Sequence, residues 1–164
     1  MIEKIYPVTE KLILNALQLA QQLHQELNRE ADALKKTQHT ELINSIAANK
    51  KQLVVQLEQF NSQLAQVLAT EKLPNNQESI TEYFKRAEAA GLPTIDAIDN
   101  WSQLMLVCTE CRTLNEQNGA GIDLLSRHTK RSLDILKGKP EFANTYGSDG
   151  TAKSDRYTRT LISV

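Results

Sequence analysis

Aromatic side chains are scarce in this 164-residue chain, at 5%: four Tyr, three Phe and one Trp. Strand-built cores draw heavily on aromatic and β-branched residues, so this scarcity argues against a sandwich or barrel. Charge of either sign in excess is missing too. Nineteen Lys and Arg face twenty Asp and Glu, a formal net charge of −1. The chain as a whole therefore has no electrostatic reason to bind nucleic acid or an anionic membrane surface. No apolar run approaches the ~18–20 residues that a bilayer-spanning helix needs, so membrane insertion is not expected. The opening "MIEKIYPVTE" carries charges where a secretory leader would be apolar, and a cytoplasmic location is the expectation. Cys108 and Cys111, the only two cysteines, are then expected to stay reduced.

Gln, Leu and Ala abound instead, in spacings that suit packed helices. At 164 residues a single domain with a real core is the simplest reading. Pro7 and Thr9 read as the opening of a first helix, because proline is best tolerated in a first turn. Leu12, Ala16, Leu19, Leu23, Leu27, Ala31 and Leu34 then form one apolar stripe. Thr37 or Thr40 is a plausible N-cap for a second helix. There Ile43, Leu57 and Leu64 share one heptad position, with Lys50 the exception, while Ile46, Leu53, Phe60 and Val67 share the other. That is coiled-coil spacing, and it asks for an antiparallel neighbour, the first helix being nearest. Ser79 with Glu82 reads as a capping box for a short third helix that Gly91 ends.

A long fourth helix follows from about Ile95. Trp101, Leu104, Cys108 and Cys111 carry its seam, Asn115 and Asn118 interrupt it, and Ile122, Leu125, Thr129 and Leu136 resume it. Gly119 and Gly121 fall inside this run at a cost of ~1 kcal/mol each against Ala, yet the stripe keeps its phase across them, so a continuous helix is expected. The fold class is thus all-α: an antiparallel helical hairpin or bundle with long, coiled-coil-like helices. It occupies one domain over residues 1–138, with helices over about 9–36, 40–70, 80–90 and 95–137, and a flexible C-terminal tail follows over 139–164. From Lys137 on, five Lys or Arg stand against three Asp or Glu, so the tail is mildly basic.

Chemistry is hard to find. "CTEC" at 108–111 lies inside a helix with no preceding strand, the wrong place for a thiol activated at a helix N-terminus. His24, His39 and His128 are scattered away from it, so zinc lacks its further ligands. No Glu-x-x-His pair offers a di-iron site, and "NGAG" lacks the lysine of a phosphate loop. No enzyme, cofactor or metal is expected, and the cysteines read as small buried apolar residues.

Length is more informative. A helix over 95–137 runs about 64 Å, whereas the first two run roughly 45 Å each. The last helix therefore overhangs the hairpin, unless the third helix folds back to cover it. Ile122, Leu125, Leu133 and Leu136 then form an apolar face open to a foreign helix. A structural coiled-coil protein that homodimerises through the same face is the alternative.

"LNEQNGAGIDLLSRHTKRSLDILKG", followed by "TYGSDG" and the short apolar end "TLISV", resembles the FlgN family of flagellar type III export chaperones. Leu114, Asn115, Asn118, Gly119, Tyr146, Gly147, Asp149 and Gly150 carry the likeness, over about the last third of the chain. The resemblance implies a non-enzymatic cytoplasmic protein that holds the hook–filament junction proteins FlgK and FlgL by their amphipathic C-terminal helical region and delivers them to the export gate protein FlhA. Client binding would then fall to Leu114, Asn115, Asn118, Gly119, Ile122, Leu125, Leu133 and Leu136. Gate binding would fall to Tyr146, presented by a turn of Gly147, Asp149 and Gly150. A client-free homodimer is compatible with the same face.

Overall fold

A computed structural model describes residues 1–36 and 40–133 of the chain, with side chains as far as Ala120. Four helices account for nearly all of it: α1 (Ile2–Leu34), α2 (Thr40–Thr70), α3 (Gln77–Ala89) and α4 (Ile95–Leu133). There is no strand among the described residues.

The helix α1 is the shared wall of the bundle. It packs along α2 on one side and along α4 on the other, whereas α2 and α4 meet each other sparingly. Hydrogen bonds fix the directions. α3 bonds both Thr9 near the start of α1 and Glu71 just past the end of α2, so the beginning of α1 lies beside the finish of α2. The pair is therefore antiparallel, with Glu26 and Glu30 accepting from Asn49 and Lys50 across it. Against α4 the numbers rise together: Tyr6 meets Pro93, Ala20 meets Cys111 and Leu27 meets Asn118. α1 and α4 are therefore parallel.

Service to two neighbours widens the buried arc of α1 beyond a single seam. Ala16, Leu23 and Leu27 of the expected stripe are fully buried, while Leu12, Leu19, Ala31 and Leu34 are half-covered at its margin. Ile2, Tyr6, Ile13, Leu17, Ala20 and Ala33 join the buried set. The helix also begins earlier than residue 9. Pro7 sits inside it, where its missing N–H leaves the carbonyl of Glu3 without a helical donor. Burial of Ile2 and Tyr6 offsets that loss, and Tyr6 further donates its hydroxyl to the Pro93 carbonyl at 2.9 Å. Tertiary contacts thus override a local stop signal.

The helix α3 starts at Gln77 rather than near residue 80, and its cap is not Ser79. Asn76 accepts from the Ser79 backbone N–H at 2.8 Å, and Ser79 is itself buried in the first turn. Glu82 pairs instead with Arg86, one turn on, so there is no capping box here. Tyr83 shares a hydroxyl hydrogen bond with Thr9 at 2.9 Å and stacks on Tyr6 with centroids 6.4 Å apart. Arg86 donates to the Glu71 carbonyl at 2.7 Å, satisfying a carbonyl just past the end of α2. α3 is consequently a clamp on the end of the bundle where α1 begins and α2 finishes.

Both helix ends beside this clamp close the same way. At α3, Leu92 N–H bonds the Ala87 carbonyl and Gly91 N–H bonds that of Glu88, with Gly91 at φ +81°. At α2, Leu73 bonds Leu68 and Lys72 bonds Ala69, but Lys72 holds φ +59°. This closure needs a left-handed residue, which glycine adopts freely and lysine does not. Replacing Lys72 by Gly is expected to stabilise the protein by about 0.5–1 kcal/mol, seen as a higher urea midpoint at unchanged slope.

Candidate partner-binding end of the bundle

Most of the core is one contiguous apolar cluster from Ile2 and Tyr6 at the clamp to Leu23, Leu27, Leu53 and Cys111. Beyond it the three long helices meet in a polar layer that spacing alone did not single out. Glu30 of α1 is fully buried. Its Oε1 accepts from Lys50 Nζ of α2 at 2.9 Å and from Asn118 Nδ2 of α4 at 3.0 Å. Asn118 also donates to the Leu27 carbonyl at 2.8 Å, and Lys50 donates to Asn115 Oδ1 at 3.3 Å. Lys50, the misfit of its heptad, is thus the cation that a buried carboxylate requires. Glu30 itself carried a signal: an acid at a position in phase with Leu23 and Leu27.

The expected site residues distribute as follows. Leu114 is half-buried and packs against the core cluster. Asn118 is buried, with both described bonds of its amide made inside the chain. Gly119 is followed without a break by more helix, and a β-carbon placed on it would meet nothing within 4 Å. Ile122, Leu125 and Leu133 lie on the continuing backbone of α4. Leu136, Tyr146, Gly147, Asp149 and Gly150 lie outside the described residues, as does the alternative cap Thr37.

Register defines what this end looks like. The Ala20–Cys111 and Leu27–Asn118 pairs are both offset by 91 residues, which places Leu34 level with residue 125. α4 then continues past the end of α1 to Leu133, for about 12 Å or two turns. α3 does not cover this extension: it grips α1 at Tyr6 and Thr9, roughly 30 Å or more away along the bundle.

Cys108 and Cys111 are buried free thiols, and Cys111 faces α1 at Ala20. Burial pushes Cys108 up to about 11. Burial, with the neighbouring Cys108 and Glu110, pushes Cys111 up to about 12. At neutral pH both are therefore protonated, and Cys111 donates weakly to the Ala20 carbonyl at 3.6 Å. They pack rather than react. No group of His, Cys, Asp and Glu able to hold a metal occurs among the described residues.

A bundle with a long last helix and a mostly internal polar layer fits many helical adaptors, and comparison with known proteins narrows the choice. The family model described as FlgN protein matches residues 8–154, from within α1 to beyond α4. The chain belongs to the FlgN family. Neither a curated protein nor a solved structure matches it. The match spans the polar layer, the glycines of α4 and the Tyr146 segment alike. FlgN proteins are flagellar export chaperones, a family not known as enzymatic. No described helix is long and apolar enough to cross a membrane.

Within this FlgN chain the layer is testable by itself. Asn118→Ala removes two donors at once and leaves the Glu30 carboxylate held by Lys50 alone. The expected cost is about 1–3 kcal/mol in urea unfolding, with the helical signal of the folded protein retained.

Proposed function

We propose that this FlgN protein binds the C-terminal helical region of the hook–filament junction proteins FlgK and FlgL in the bacterial cytoplasm and hands them to the export gate protein FlhA. The observation that carries the reading is that α4 runs on past α1 while α3 clamps the opposite end. Leu133, with Leu136 beyond, supplies the client face on that extension, and Ile122 and Leu125, level with Ala31 and Leu34, lead up to it. Leu114 and Gly119 form its near edge, where open space over Gly119 favours close approach of a second helix. Each ~100 Å² of apolar surface buried there contributes ~2.5 kcal/mol before the cost of association. Asn115 and Asn118 set register from within the bundle, which fixes where the client face starts.

Tyr146 carries the gate contact, and Gly147, Asp149 and Gly150 form the turn that presents it. A short segment that orders on docking binds modestly and reversibly, which suits delivery followed by release. Titration calorimetry with the C-terminal helical segment of a junction protein is expected to show a 1:1 complex. Tyr146→Ala should leave that affinity unchanged and weaken binding to the cytoplasmic part of FlhA at least tenfold. Equal loss of both contacts contradicts the division of roles. A tight homodimer by light scattering that survives added client favours instead a coiled-coil protein that pairs with itself.

A further inference from the structure

Between α1 and α4, on the side turned away from α2, the surface opens into a cleft of about 340 Å³. His24 and Asn28 line it from α1, and Glu110, Thr113 and Leu114 from α4. Asn28 donates to His24 Nδ1 at 3.2 Å, so Nε2 carries the ring proton and donates to Glu110 at 3.2 Å. The imidazole is then neutral, and the carboxylate keeps its negative charge. The rows that line the cleft continue toward the clamp at heptad spacing. On α1, Asn28 is preceded by Gln21 and Leu14, and His24 by Leu17 and Glu10. On α4, Thr113 is preceded by Leu106 and Asp99, Leu114 by Val107, and Glu110 by Gln103 and Asp96. Leu14 is 42% exposed and Leu106 60%, at nearly the same level of the two parallel helices. Apart from His24, the ionisable residues on these stretches are all acids: Glu10, Asp96, Asp99 and Glu110. Burial, with Glu10, Tyr83 and Asp96, pushes the Tyr6 hydroxyl up to about 12, which sets acids of both helices beside one seam residue. The groove thus has an apolar middle between acidic ends, and it is open.

We propose that this groove seats residues 156–164 of the same chain, "RYTRTLISV", with Arg156 and Arg159 on its carboxylates and Leu161, Ile162 and Val164 on Leu14, Leu106 and Val107. Charge and reach support that occupant. The segment carries two arginines and no acid, the complement of the groove. From Leu133 back to the level of Leu106 is about 40 Å of helix, whereas residues 134–155 span up to ~70 Å when extended. Such a tether presents the segment at roughly millimolar effective concentration, so a shallow surface suffices. Docking closes residues 134–155 into a loop with Tyr146 near its middle. The inference concerns the chain by itself and does not rest on the client reading.

A nitroxide on Ser154→Cys, just outside the docked segment of the full chain, tests it. Cys108 and Cys111 are buried and protonated at neutral pH, so the label goes to the added cysteine. NMR should show loss of amide intensity along Glu10–Asn28 of α1 and Asp96–Leu114 of α4, with α2 spared. Arg156→Glu combined with Arg159→Glu in the labelled chain should restore that intensity, and both positions lie beyond α4. Unchanged intensity along the groove overturns the inference, as does broadening that survives the charge reversal. Equal broadening of a nitroxide-free chain on adding the nitroxide-bearing one places the contact between copies, which overturns it too.

Discussion

A carboxylate with no exposure to solvent must be met by donors, and Glu30 is met from two other helices at once. Lys50 reaches it from α2 and Asn118 from α4, so the axial positions of all three long helices are set by one side chain. Apolar seams tolerate slippage by a turn, since one Leu resembles another. A buried ion pair does not, because a slipped register strands a charge. Its worth here lies in specifying one arrangement, as a polar residue at a coiled-coil seam does, more than in net stability. From that register follows the extension of α4 past α1, on which the proposed client face lies.

The clamp at the other end complements this. α3 spends its buried Ile80, Tyr83, Phe84 and Ala87 on the start of α1 and the end of α2. Nothing of α3 is then left for the distal end. The bundle thus has one end sealed by aromatic packing and one governed by a polar layer, an asymmetry suited to a chaperone that engages a client at a single place.

Much of this was legible in the sequence. Helical periodicity gave the all-α class, and the heptads of α2 named the residues that pack, Ile46, Leu53, Phe60, Leu64 and Val67 among them. Phase across Gly119 and Gly121 foretold one unbroken α4. Errors arose where tertiary contacts outweigh local rules. Pro7 reads as a start but lies within α1, because Ile2 and Tyr6 gain more from burial than the helix loses at Glu3. Asn76 outcompetes Ser79 as a cap because Ser79 is turned inward. The polar layer was half-visible: Lys50 and the two asparagines looked like seam defects, and only their meeting at Glu30 shows them to be parts of one device. That meeting joins residues up to 88 positions apart, which no local pattern encodes.

The central claim is that partner helices engage the end of the bundle beyond the Glu30 layer. Hydrogen exchange on the protein with and without a saturating junction-protein C-terminal segment tests it most directly. Added protection is predicted at the amides of residues 40–50 in α2 and 119–133 in α4, with α3 unchanged. Protection gained instead along Gln77–Ala89, or spread evenly over all four helices, would contradict the account.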